Sequence, residues 1–133
     1  MLLQRKIDDN GNERYALPGG AQEQGERLTE ALQRECEEEI GTCVEVIDLL
    51  YVGDYFKIRD TSPPTTRQLL EFLFACSVAD DYQARNGPHP DKHQVDVEWV
   101  PISRLPEINL VPADYSELLM EQSPSLVYLG QLF

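Results

Sequence analysis

Glu35, Glu38 and Glu39 stand at positions i, i+3 and i+4 within a run whose apolar residues Leu28, Leu32, Cys36 and Ile40 recur every four positions. On an α-helix that spacing gathers the three carboxylates on one face, beside the apolar stripe and at the edge of a core. Two unit charges about 4 Å apart repel by about 4 kcal/mol at an effective dielectric near 20. A helix built for stability alone would intersperse lysines at i+4. Between Glu26 and Gly41 the only cations are Arg27 and Arg34. A hard divalent ion relieves the repulsion, since oxygen ligands suit magnesium, with manganese as a substitute. Such an ion keeps several waters and takes substrate phosphate oxygens as further ligands. It can also activate an attacking water.

The residues ahead of the helix add a second clue. Gly19 and Gly20 allow close approach of the backbone to a ligand, and a nearby carbonyl can ligate a metal. Glu26 lies near the helix start, where negative charge is favourable, and can reach Arg34 or its neighbours if the loop folds back.

These side chains must be positioned by the surrounding elements. The pattern predicts a helix over residues 27–40, stopped by Gly41. Residues 1–6 read as the end of a strand, followed by a turn around Asn10-Gly11 and a short apolar segment at residues 15–17. Strands are expected over 44–52 and 69–78, the latter central, with residues 55–58 continuing the sheet or forming a hairpin partner. Residues 80–91 read as a long loop, 94–100 as a half-buried strand and 101–106 as a turn or short helix. A second helix is expected over 113–122 and a short closing segment over 127–129. Trp99 and the three cysteines, Cys36, Cys43 and Cys76, are expected in the core, the cysteines reduced because they fit no disulfide or zinc spacing.

The full spacing is more specific than any one of these features. Gly20, five residues, Glu26, seven residues, then Arg34-Glu35-Cys36-Glu37-Glu38-Glu39-Ile40-Gly41 resembles the Nudix box, G-x5-E-x7-R-E-U-x-E-E-x-G-U with U a bulky aliphatic residue. Every glycine and charged position matches; Cys36 and Thr42 depart at the two aliphatic positions. Leu17-Pro18-Gly19-Gly20, Gly25-Glu26 and Trp99-Val100-Pro101 also resemble family features. The resemblance implies an α/β fold, a single Nudix-like α/β/α sandwich with a mixed sheet, over residues 1–133. It implies magnesium-dependent hydrolysis of a nucleoside diphosphate linked to another moiety. Glu35, Glu38 and Glu39 would bind the metal with the Gly19 carbonyl, Arg34 would hold a box glutamate in position, and Glu26 would brace Arg34 or assist a metal. The family usually sets a strand before the segment matching residues 2–5, where this chain begins. That implies a shortened sheet, or one completed by a neighbouring subunit in a homodimer.

Composition narrows the rest. The 133 residues carry a formal charge of −13, which argues against nonspecific nucleic-acid binding but permits a small phosphate-bearing ligand met through cations. No apolar run approaches the roughly 20 residues of a membrane span, and a cytoplasmic location follows as the default. Among scarce cations and aromatics, Arg5, Arg14, Tyr15 and Arg67 are candidates for substrate contact. The general base is open between a box glutamate and a late carboxylate such as Asp91, Asp96 or Glu98. Two rivals stand beside the hydrolase: a catalytically silent Nudix-fold sensor or binding module, and an acidic interaction domain whose helix merely resembles the box.

Overall fold

The structure, a computed structural model, describes residues 1–59, 61–121 and 127–133. Its elements run β1 (Leu2–Ile7), β2 (Glu13–Ala16), α1 (Leu28–Ile40), β3 (Glu45–Arg59), β4 (Thr65–Ser77), β5 (Gln94–Trp99), a 3-10 helix (Ile102–Glu107), α2 (Tyr115–Leu118) and β6 (Val127–Leu132). Among the described residues they form two three-stranded sheets. One is antiparallel, in the order β2-β1-β5. The other is mixed, in the order β4-β3-β6, with β3 antiparallel to β4 and parallel to β6.

Strand β1 positions the site. Its neighbours fix its backbone on both sides, Gln4 standing opposite Ala16 of β2 and Val97 of β5. Side chains alternate across a strand, so neighbouring residues serve different faces. Leu3 packs with Tyr15, Val100, Leu105, Tyr115 and Leu132 in one core cluster, which the 3-10 helix, α2 and β6 complete. Leu2 joins the other cluster, where Cys36 and Ile40 of α1 meet Val44 and Val97. The antiparallel sheet therefore separates α1 from the C-terminal elements, and the α/β layering expected from the sequence holds. Burying a side chain such as Ile40 contributes about 1.5–3 kcal/mol, which anchors the helix by its apolar stripe.

Several expectations need correction. Of the two readings of residues 55–58, continuation holds and the hairpin partner does not: β3 runs unbroken through Gly53. A Cβ on Gly53 would meet the Leu132 side chain at 2.7 Å, so this glycine makes room for β6 and marks no turn. Strand β4 is an edge strand, and β3 is the central one. The second helix is short within the described residues, and Gln122 of its expected span lies outside them. Trp99 is 54% exposed, because β5 is an edge strand whose end borders an open cleft. That cleft, about 1030 Å³, lies between Leu32, Cys36 and Ile40 of α1 and Phe72, Phe74 and Cys76 of β4. All three cysteines are free thiols, but only Cys36 is buried; Cys43 and Cys76 are exposed.

Candidate active site

The loop entering α1 is folded on itself. The Glu26 amide donates to the Glu23 carbonyl, the Gln22 side-chain amide donates to the Glu26 carbonyl at 2.7 Å, and Gly25 takes φ 87. Glu30 caps the helix: its carboxylate accepts the Arg27 amide at 2.8 Å.

Arg34 organises the acidic face. Its Nε and Nη2 donate to the two Glu26 carboxylate oxygens at 2.7 and 3.0 Å, a bidentate fork. Nη2 also donates to the Ala21 carbonyl at 3.1 Å. Nη1 turns the other way, to Glu35 Oε1 at 2.9 Å and Glu38 Oε2 at 3.5 Å. One guanidinium thus joins the entry loop to two box glutamates. Arg34, followed by the Glu23 amide, holds the Glu26 carboxyl below its usual range. Glu26 and then Glu35 raise Arg34 further above its already high value.

Glu39 is the deepest of the acids, only 3% exposed. Its Oε2 accepts a hydrogen bond from the Gln4 side-chain amide of β1, and Gly19 offers its amide to the same oxygen at 3.5 Å. Burial pushes the Glu39 carboxyl up to about 9; the adjacent Glu35 carboxyl and the Asp91 charge add to the shift, and the Gly19 amide opposes it. Gly20 allows the close packing here, since a Cβ would fall 2.4 Å from the Glu35 carboxyl carbon. At the rim, Lys6 Nζ meets Asp91 Oδ2 at 2.5 Å. Burial works against the Asp91 charge, but Lys6 together with the Lys92 amide and the Lys57 charge more than offsets it, and the carboxyl stays below its ordinary range.

The far end of α1 is held by the loop at residues 79–94, whose role the sequence did not reveal. A helix leaves its last carbonyls unpaired. Here His89 N donates to Glu38 O at 2.8 Å, while Gly87 N and Gln94 Nε2 donate to Glu39 O at 2.9 and 2.8 Å. The Tyr82 hydroxyl donates to Ile40 O at 2.6 Å and Arg85 Nη2 to Gly41 O at 2.7 Å. Gly87 must be glycine for contact reasons: a Cβ would fall 2.4 Å from the Glu38 carbonyl oxygen.

The four proposed substrate contacts are not drawn to this face. Arg5 and Tyr15 meet instead at Glu98, Arg5 Nε lying 3.3 Å from its Oε1 and the Tyr15 hydroxyl 3.2 Å from its Oε2, and Arg5 also binds Glu13 at 3.1 Å. Both residues follow the alternation of Leu3, opposite to that of Gln4. Arg14 stands opposite Lys6 in the strand register. Arg67 is exposed opposite Lys57, near the outer end of the β3–β4 ribbon. Among the described residues, none of the four shares a hydrogen bond or ion pair with Glu35, Glu38 or Glu39.

A family model described as NUDIX domain matches residues 1–120. The chain belongs to the Nudix family. Solved structures agree. A NUDIX hydrolase from Nitrosomonas europaea is 20% identical with a TM-score of 0.66, over 98% of this chain and 69% of that one. A UDP-X diphosphatase is 29% identical with a TM-score of 0.67, over 96% of this chain; the chain spans 59% of that protein's length. A mutator MutT protein from Bacillus halodurans is 21% identical with a TM-score of 0.63, over 97% of this chain and 78% of that one. Family and fold mark the chain as a Nudix-type pyrophosphohydrolase. Among the described residues, no helix is long and apolar enough to cross a membrane.

The residues of the Nudix box suit a hard divalent cation in their chemistry. Glu35, Glu38 and Glu39 crowd the C-terminal half of α1, where the helix dipole is negative and the last turn carries no basic residue. Burial and the neighbouring acid make the Glu39 charge costly without a cation. Among the described residues, no three His, Cys, Asp or Glu side chains already converge as a ligand group. Arg34 draws Glu35 and Glu38 toward the entry loop, while Gln4 holds Glu39 against the sheet.

Proposed function

We propose that this Nudix domain, spanning residues 1–133, hydrolyses the diphosphate linkage of a nucleoside diphosphate joined to another moiety, with magnesium as the metal and manganese able to replace it. The observation that carries the reading is the Arg34 fork: a bidentate pair with Glu26 on one side, Glu35 and Glu38 on the other. A solvated acidic face has no need of such a brace. Glu35, Glu38, Glu39 and the Gly19 carbonyl would hold the metal. When bound, it neutralises phosphate charge and lowers the pKa of an attacking water. The chain's own residues hold the site in place: Arg34 restrains two acids, Glu26 restrains Arg34, and the loop at 79–94 fixes the last helical turn.

The 29% identity to a UDP-X diphosphatase supports nucleotide sugars as the first substrates to try. The intact set of box acids counts against the silent sensor, and the bound geometry of Arg34 against an acidic interaction domain. A small phosphate-containing nucleotide as substrate, a homodimer as the means of completing the sheet and a cytoplasmic setting complete the proposal; three free thiols are consistent with the last. The test is phosphate release from a panel of nucleotide sugars, ADP-ribose, dinucleoside polyphosphates and nucleoside triphosphates, each with Mg2+ and with EDTA. Metal-dependent cleavage of a nucleoside diphosphate linked to X is expected; no cleavage of any member with Mg2+ or Mn2+ would overturn the assignment.

A further inference from the structure

We infer that Gln4, a residue outside the Nudix box, is a positioning residue that sets the orientation of the Glu39 carboxylate toward the metal. The inference rests on the metal role proposed above for Glu39 and goes one residue beyond it.

Gln4 is an amide side chain only 1% exposed, in a strand whose next-but-one neighbour Leu2 packs into an apolar cluster. Burying an amide costs free energy unless it finds a partner, so an aliphatic residue would serve simple packing better. Its Nε2 donates across the sheet–helix interface to Glu39 Oε2. The Gly19 amide aims at that same oxygen, so both donors commit Oε2 and Oε1 receives neither. The main chain of Glu39 is held independently, its carbonyl taken by Gly87 N and Gln94 Nε2. With the backbone locked from one side and one carboxylate oxygen from the other, little rotational freedom is left to the side chain. A carboxylate oriented in advance loses less entropy on ligating a cation than a free one. β1 is itself rigid, paired on both edges, so the amide is delivered from a fixed platform.

The test uses the full chain and Mn2+ alone as the probe, with free Mn2+ read by its electron paramagnetic resonance signal. Gln4→Leu and Gln4→Met both keep apolar volume and remove the donor; the flexible methionine covers the case in which the leucine variant fails to fold. Each is expected to raise the Mn2+ Kd by about 10-fold or more, the usual effect of removing an outer-shell partner. The kcat lost at limiting metal is expected to return at saturating Mn2+, with KM for the nucleotide unchanged. A purely structural role would lower Tm in EDTA while leaving Mn2+ affinity within about two-fold of wild type, and that result would overturn the inference. Wild type binding Mn2+ with both variants unaffected rejects Gln4 alone. Wild type failing to bind Mn2+ rejects the metal reading together with it.

Discussion

The two ends of the molecule spend their polar groups differently. Around α1, charged and amide side chains are tied to named partners: the helix is held at its entry by Arg34–Glu26, and at its last turn by the 79–94 segment and by Gln4. The outer part of the β3–β4 ribbon is the opposite. β6 pairs with β3 from Tyr51 to Tyr55, and beyond Tyr55 β3 pairs only with β4 among the described residues. Phe56 and Ile58 lie exposed there, Ile58 at 75%. Dense polar contacts around a face of like charges fit a place where geometry is demanded and stability alone would choose otherwise. The ribbon tip needs only backbone pairing.

Substitutions can break this contrast. The largest effect is expected at Glu38. Glu38→Gln removes a charge from the proposed metal-binding face, and a loss of several kcal/mol of transition-state stabilisation corresponds to about 10³-fold or more in kcat. Circular dichroism and Tm in EDTA should remain those of wild type. Arg34→Lys comes next. A lysine cannot span Glu26, Glu35 and Glu38 with one planar fork, so kcat/KM should fall by about 10–100-fold even though the charge is kept.

The pH dependence of stability sharpens the comparison. Glu39 titrates in the folded metal-free protein near 9, well above its unfolded value of 4.5. Between these values the native state holds a proton that the unfolded state has lost, so this group's contribution to stability falls as pH rises. In EDTA, the Tm of wild type should therefore drop more steeply from pH 5 to pH 9 than that of Glu39→Gln. Equal slopes would remove Glu39 from the account.

Smaller effects separate the exit loop from the ribbon. Gly87→Ala drives a methyl group into the Glu38 carbonyl and should cost about 1–3 kcal/mol in urea unfolding. Ile58→Thr on the ribbon should change stability by no more than about 0.5 kcal/mol and leave turnover untouched.

How far the sequence could be read follows from what each feature depends on. The box helix was legible because its four-residue apolar repeat and its Gly41 stop are local; the observed helix ends at Ile40 and Gly41 takes φ 73. Strand β5, the 3-10 turn and the closing strand were legible for the same reason. The choice between a continuous β3 and a hairpin was not settled locally, because Gly53 answers to Leu132, far along the chain. Nor was the edge position of β4, since strand order depends on pairing between distant segments. Within the site, the Arg34–Glu26 link followed from the spacing, but the meeting of Arg5 and Tyr15 at Glu98 did not. The exit segment at residues 79–94 looked like a polar connection because the Gly87 and His89 amides carry no residue signature, and Tyr82, Arg85 and Gln94 reach carbonyls that only the fold brings near. Gln4 was not legible either, because its burial and its meeting with Glu39 depend on which face of β1 packs against α1.

The central claim is that the acids of α1 bind a divalent cation in the folded state. Thermal unfolding with and without Mg2+ tests it most directly, because a ligand selective for the native state must raise Tm. Wild type should be stabilised in proportion to the logarithm of Mg2+ concentration, and a Glu35→Gln, Glu38→Gln double variant should not respond. Equal Mg2+ shifts in the two proteins, or none in wild type, would contradict the account.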